Sequence, residues 1–167
     1  MPFPRCWPLK SPGVLKNFLR LEAKKKVPDR FDSVKRSQIM SRVKVKNTAP
    51  EVKLRSILHH QGFRFRLNRK DLPGKPDIVL PKYKAVIFVH GCFWHGHDCK
   101  RGQRPKTNEA FWNGKIDGNI KRDELSVIKL RELGWRVLVV WECEIKKSDV
   151  LLLRIKEFLY GENAGNQ

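Results

Sequence analysis

Apolar positions along this chain recur in two periods. Val52, Leu54, Ile57 and Leu58 approximate one face of a helix. Its start is marked three times over: Thr48 is an N-cap residue, Pro50 suits the first turn, and Glu51 follows Thr48 by three as in a capping box. Gly62 is its natural stop. The preceding stretch, residues 33–43, reads as a helix with basic side chains along it. The period then changes to two. Residues 63–67 (FRFRL) alternate like a half-buried strand, and LPGKP at 72–76 is a turn. Residues 77–80 and 85–89 predict a short strand and a buried one, paired as a hairpin around 81–84. Residues 108–133 are mostly helical, weakened in the first half by Gly114 and Gly118. Residues 135–141 (WRVLVVW) predict another buried strand, and 150–160 a closing helix. With no internal repeat, this order predicts a mixed α/β sandwich.

Charge narrows the class. Lys and Arg number 36 against 17 Asp and Glu, a net charge of +19 spread along the whole chain. An excess of that size points to a polyanionic partner, because each neutralised phosphate releases counterions; a soluble basic protein, or one for an anionic membrane surface, is the plainer alternative. No apolar run approaches the roughly 18 residues of a membrane span, and the N-terminus lacks the pattern of a secretory signal. Residues 1–28, with four prolines in MPFPRCWPLKSPG followed by a basic stretch, read as an extension separate from a domain over 29–167. The four cysteines are Cys6, Cys92, Cys99 and Cys143. Without a signal, and with histidines beside two of them, metal binding is favoured over disulfides and an intracellular location follows.

Candidate chemistry concentrates in VHGCFWHGHDC, residues 89–99. Cys92, His97 and Cys99 are close enough for one loop to wrap an ion. Cys143, just past the buried strand, supplies a fourth thiolate for a tetrahedral zinc site. His90 or His95 could take the place of His97, and small buried cysteines beside a surface histidine are the bland alternative. Pro76-Asp77 precedes a strand, as in metal-dependent nucleases of the PD-(D/E)xK type, but no second carboxylate and lysine follow on the next strand. A nearby histidine then becomes the chemically suitable group to activate water.

GKPD, AVIFVHGCFWHGHDC, FW, N–––RD and LGWRVLVVWEC, in that order from about Arg36 to Cys143, resemble the very-short-patch-repair (Vsr) mismatch endonucleases. The resemblance implies a restriction-endonuclease-like mixed sheet flanked by helices, a structural Zn²⁺ and a catalytic Mg²⁺. It implies a nick on the 5′ side of the thymine in a T·G mismatch, the lesion left when 5-methylcytosine deaminates. By position, Asp77 matches the metal-binding aspartate, with the backbone carbonyl of Val89 as a second contact. His95 matches the general base, Glu51 the acidic residue supporting it, and His90 an accessory histidine. Cys92, His97, Cys99 and Cys143 match the zinc ligands. Phe93, Trp94 and Trp112 match aromatics that stack into DNA beside the mismatch, and Met40 a residue that enters from the other groove.

The chain departs from the pattern at Val89, where a family member can carry threonine, and at Gly96 and Asp98, where some members have histidines. The 1–28 extension has no counterpart. Taken singly, Glu51 could only close its capping box, His90 could be a buried strand-end residue, and Phe111 reads as core. Trp135 and Trp141 read as sheet or core residues. The expectation is an Mg²⁺-dependent endonuclease in DNA mismatch repair, cytoplasmic and nucleoid-associated. Its expected partner is duplex DNA bearing T·G, with other mismatch-repair proteins as further candidates, no membrane, and a monomeric chain. The rivals are a zinc-stabilised DNA-binding protein that has lost cleavage and a nuclease of the same fold with altered specificity.

Overall fold

The computed structural model describes residues 32–42, 46–67 and 69–161. The extension over 1–28, Cys6 included, lies outside the described residues. Helix α1 (Ser33–Ser41) begins at Asp32, whose carboxylate accepts the Lys35 N–H at 2.7 Å. Helix α2 (Ala49–His60) begins after Thr48. It ends in a Schellman arrangement: Gly62 has φ +79°, its N–H donates to the His59 carbonyl, and the Phe63 N–H donates back to Leu58. Phe63 then packs in the same apolar cluster as Leu58.

Three strands follow: β1 (Ile78–Leu80), β2 (Ala85–His90) and β3 (Arg136–Trp141), in spatial order β1-β2-β3. The predicted hairpin is present, with Ile78 opposite Ile87 and Leu80 opposite Ala85. Between β2 and β3 runs α3 (Glu109–Glu132), the crossover a parallel pair requires. Gly114 and Gly118 do not interrupt it. Nothing lies within 4 Å of where a Cβ would sit at either position. Each costs only the roughly 1 kcal/mol glycine penalty of a helix interior. Helix α4 (Ser148–Tyr160) closes the described chain.

Alternation along the strands divides the core. Ile78, Leu80, Ile87, Leu138 and Val140 face α2 and α4, meeting Leu54, Leu58, Leu151, Ile155 and Leu159. Val79, Val86 and Phe88 face the other way, against Leu72 and Leu130 of α3. The result is a sheet between helices, as predicted. One element differs. Residues 63–67 form no continuous strand but a single antiparallel bridge, Arg66 with Val79, through two 2.8 Å hydrogen bonds. With only three residues in β1, the pairing has nowhere to extend, and Phe63 and Phe65 serve the core instead. Among the described residues, no helix is long and apolar enough to cross a membrane.

The topology also fixes where chemistry can collect. Parallel β2 and β3 finish together, His90 opposite Trp141. The chain leaving β2 becomes the 91–99 loop, and Cys143 lies two residues past the end of β3. Asp77 stands just before antiparallel β1, so it reaches the same edge.

Candidate active site and metal centre

Cys92, His97, Cys99 and Cys143 converge at that edge. One sulfur or nitrogen from each lies within 4.8 Å of the others, close enough for a single ion to touch all four. The loop is folded by its own backbone: the His97 N–H donates to Cys92 O at 3.0 Å, and the Gly102 N–H to Cys99 O at 2.9 Å. Gly102 is obligatory, since a Cβ there would stand 1.8 Å from the His97 carbonyl oxygen. Burial pushes the Cys92 thiol up to about 12; the Cys143 backbone acts downward, and the Cys143 and Cys99 side chains add to the rise. At Cys99 burial also acts upward, but the N–H groups of Arg101 and Gly102 and the side chains of His97 and Cys92 outweigh it, and its thiol falls to about 7. Thiols this crowded cannot all ionise without added positive charge. Three thiolates and one imidazole are the donor set of a tetrahedral structural ion such as zinc, so the residues fit the metal.

Beside this cluster lies a second one. His95 Nδ1 is 2.5 Å from Asp123 Oδ2. An ionised carboxylate only accepts hydrogen bonds, so in the neutral imidazole Nδ1 carries the proton and Nε2 keeps a lone pair. His90, 7% exposed, stacks on His95 with ring centroids 3.9 Å apart and an 11° interplanar angle. Burial, and then the neighbouring His95, lower His90 to about 4, so it is a neutral ring near pH 7. Asp77 accepts the Val89 N–H at 2.8 Å. Burial raises its carboxyl to about 6; the Val89 N–H works against that rise and the Glu51 charge adds to it. Arg55 and His95 oppose the rise but do not cancel it; a half-buried carboxylate with a second carboxylate nearby suits a hard divalent cation.

Glu51 requires a correction. The carboxylate on His95 is Asp123, not Glu51. Glu51 occupies the first turn of α2 and folds back on its own helix start. It accepts from Thr48 Oγ1 at 2.8 Å, from the Asn47 N–H at 3.0 Å and from Arg55 at 2.8 Å. The capping relation is real but shifted, since the N–H it satisfies is that of Asn47. Glu51 is nonetheless 5% exposed and lines the same cleft as Asp77 and His95.

That cleft measures about 920 Å³ and is bordered by α1, α2, the loop and α3. Trp94 and Trp112 line it, and Phe93 packs against both, the three rings having centroids 5.1 to 6.2 Å apart. Their exposures differ from expectation. Trp112 is 5% exposed, beneath Arg36 at 5.6 Å, whereas Phe111, expected in the core, is 54% exposed. Met40 of α1 is 38% exposed and lines the cleft. In the free protein Trp112 is therefore shielded, and Phe111 is the aromatic presented at the rim.

Comparison with known proteins gives this geometry a family. The model of the DNA mismatch endonuclease Vsr family matches residues 28–101. The type II nicking enzyme V.XorIIP of Xanthomonas oryzae pv. oryzae is 50% identical over 131 residues, covering 78% of this chain and 96% of the relative. The chain belongs to the Vsr family of DNA mismatch endonucleases. Among its relatives are V.NmeAIP of Neisseria meningitidis, a type II nicking enzyme 47% identical over 78% of this chain and 94% of that one, and the DNA mismatch endonuclease Vsr of Escherichia coli, 42% identical over 83% and 92%. In solved structures, the catalytic domain of the homing endonuclease I-Bth0305I shares the fold, with a TM-score of 0.50 and 19% identity over 71% of this chain and all of that domain.

The NIKRD segment of α3, residues 119–123, ties that helix to the loop. Asn119 and Asp123 are four apart on α3 and so share a face. Asn119 Nδ2 donates to the Trp94 carbonyl at 2.8 Å while Asp123 takes His95. One helical face thus fixes two consecutive residues of the loop. Gly96 follows them with φ +66°, and a Cβ there would meet Ile120 at 2.8 Å. A side chain there would require Ile120 to shift, in addition to the strain of the positive φ.

Proposed function

We propose that this chain nicks duplex DNA on the 5′ side of the thymine in T·G mismatches, in an Mg²⁺-dependent reaction carried by the domain 29–167. The observation that carries the reading is the pairing of His95 with Asp123 in the same cleft as the half-buried Asp77 carboxylate. Asp123 holds the Nδ1 proton and sets the ring plane, leaving Nε2 to take a proton from the attacking water. Asp77, with Glu51 behind it and the Val89 carbonyl beside it, would hold the divalent cation. When bound, that cation supplies Lewis-acid relief of charge on the phosphate. His90, neutral and stacked on His95, limits ring rotation and offers an N–H to a phosphate oxygen.

The remaining residues serve recognition and support. Cys92, His97, Cys99 and Cys143 would hold Zn²⁺ and brace the loop, so that base and wedge keep a common geometry. Phe93, Trp94 and Met40 would enter the base stack, where unstacking is offset by new contacts; Trp112 would join them once Arg36 and α1 shift. The charge of +19 supplies attraction to the phosphates. The protein acts on nucleoid DNA in the cytoplasm, alongside other mismatch-repair proteins.

End-labelled duplexes carrying T·G, matched C·G and other mismatches, incubated with and without Mg²⁺, test this directly, with Asp77→Ala alongside. The expected result is one nick beside the thymine, requiring Mg²⁺ and absent from the variant. Tight binding to T·G without cutting of any duplex would overturn it in favour of a recognition protein.

A further inference from the structure

Trp141 occupies a position that neither the metal centre nor the catalytic set explains. It is the last residue of β3 and stands opposite His90, the last of β2. Its indole stacks on the imidazole of His97, with centroids 4.3 Å apart and an interplanar angle of 14°. It also meets His90 edge-on, at 5.4 Å and 72°. Since His90 stacks on His95, four rings form an unbroken row: His97, Trp141, His90, His95. Asp123 closes the far end.

This row differs from ordinary core packing in two ways. Among the described residues, Trp135, Val137 and Val139 of the same region pack against the apolar core, and Trp141 is not with them. Its ring-to-ring contacts are with imidazoles. Its backbone is also held unusually firmly: the Trp141 N–H donates to Glu144 Oε2 at 2.7 Å, and Glu144 is paired with Arg154 of α4. The next N–H, that of Glu142, donates to the His90 carbonyl at 2.9 Å. A rigidly mounted flat ring with histidines on its face and edge can hold both imidazole planes. An imidazole free to rotate would misdirect its lone pair, whether toward a metal or toward a water.

We propose that Trp141 is a positioning residue that couples the two centres. Through it, the ring plane of His97, set by the Cys92/His97/Cys99/Cys143 centre, determines the ring planes of His90 and His95. The inference rests on the reading of that set as a zinc site and of His95 as the base. A leucine at 141 would keep an apolar side chain, though a smaller one, and remove both ring contacts. A phenylalanine would keep a flat face of smaller reach.

The test uses the full-length zinc-loaded chain, with Trp141→Leu and Trp141→Phe. Single-turnover nicking, affinity for T·G duplex, zinc content, zinc release to a chromogenic chelator, and histidine ring resonances by long-range ¹H–¹⁵N NMR are measured for each. Supporting partners of metal ligands typically contribute 10- to 100-fold, so Trp141→Leu is expected to slow nicking and hasten zinc release by about 10-fold or more while DNA affinity stays within about twofold; Trp141→Phe should recover most of both. The decisive readout is exchange of zinc for the larger cadmium. It should shift the His90 and His95 resonances in the wild type but not in Trp141→Leu. Resonances that shift equally in both, or in neither, overturn the coupling. If Trp141→Leu fails to fold, Trp141→Phe decides, and full wild-type behaviour there makes Trp141 a filler. If the wild type nicks no duplex yet cadmium moves its His95 resonance and not that of Trp141→Leu, the functional reading fails and the coupling stands.

Discussion

Replacing Asp77 by asparagine should remove nicking and, in the absence of added magnesium, make the protein more stable. Burial raises the Asp77 carboxyl from the ordinary 3.8 to about 6. The folded state therefore binds this proton more tightly than the unfolded state does. Stability from the group is fully present below the unfolded value near 4 and is lost as pH rises through 6. At pH 8 the folded chain carries the whole penalty, about 3 kcal/mol at 1.36 kcal/mol per pH unit. Asparagine is the same shape, carries no charge, and its Oδ1 can still accept the Val89 N–H now taken by Asp77 at 2.8 Å. For a chain of this size the difference corresponds to roughly 5–10 °C in Tm. Calorimetry of both proteins at pH 8 and pH 5, zinc retained and magnesium omitted, measures it. The variant should melt higher at pH 8, the gap should shrink to roughly half at pH 5, and magnesium at pH 8 should narrow it by stabilising only the wild type. Equal melting at pH 8, or a less stable variant, would show that a cationic partner already satisfies this carboxylate, and the argument for a divalent cation there would fall.

Other expectations follow from the same geometry. Asp123→Asn should slow single-turnover nicking by about 100-fold or more, within the range of general-base contributions, with DNA affinity retained, because an amide no longer fixes the His95 tautomer; an unchanged rate would remove His95 from the base role. Cys143→Ser should lower both zinc content, measured by atomic absorption, and Tm, whereas full zinc occupancy would exclude Cys143 as a ligand. Phe111→Ala should weaken binding to mismatched duplex without lowering Tm, since the ring is 54% exposed; a clear loss of Tm would make it a packing residue. Trp94→Ala should reduce the preference for T·G over C·G more than it reduces binding to either, and an even loss across duplexes would count against a wedge.

What could be read from the sequence depended on how local the cause was. The bounds of α2 lie where Pro50 and Gly62, which act on their immediate neighbours, put them; Thr48 stands at the N-cap, but its hydroxyl donates to Glu51 and makes no cap bond to the backbone. The layering followed from alternation in β2 and β3, whose side chains must face one layer or the other. Cys143 could be grouped with Cys92, His97 and Cys99 because a buried strand beside β2 has to end near the loop. The partner of His95 was beyond reach on those terms. Glu51 and Asp123 are both acidic residues on helices, and choosing between them requires the rotation of α3 against the loop. The same rotation decides Phe111 against Trp112. Adjacent helical residues point about 100° apart, so a small change in helix phase would exchange the buried ring for the exposed one. At residues 63–67 the alternation is present, but the three-residue β1 leaves it almost no partner.

The parallel pairing of β2 with β3 has a bearing on synthesis. Glu51, Asp77, His90, His95 and Asp123 all precede β3, and Cys143 comes later still. A ribosome therefore makes every proposed participant in cleavage before the strand that anchors Trp141 and before the last sulfur of the metal centre. Until that strand docks against β2, the loop lacks its fourth candidate ligand and His90 lacks its edge contact. Long-range strand pairing is a late event in folding, and ion capture is tied to it. The chain thus emerges with its proposed reactive groups present but unaligned, and they come into register only when β3 pairs with β2.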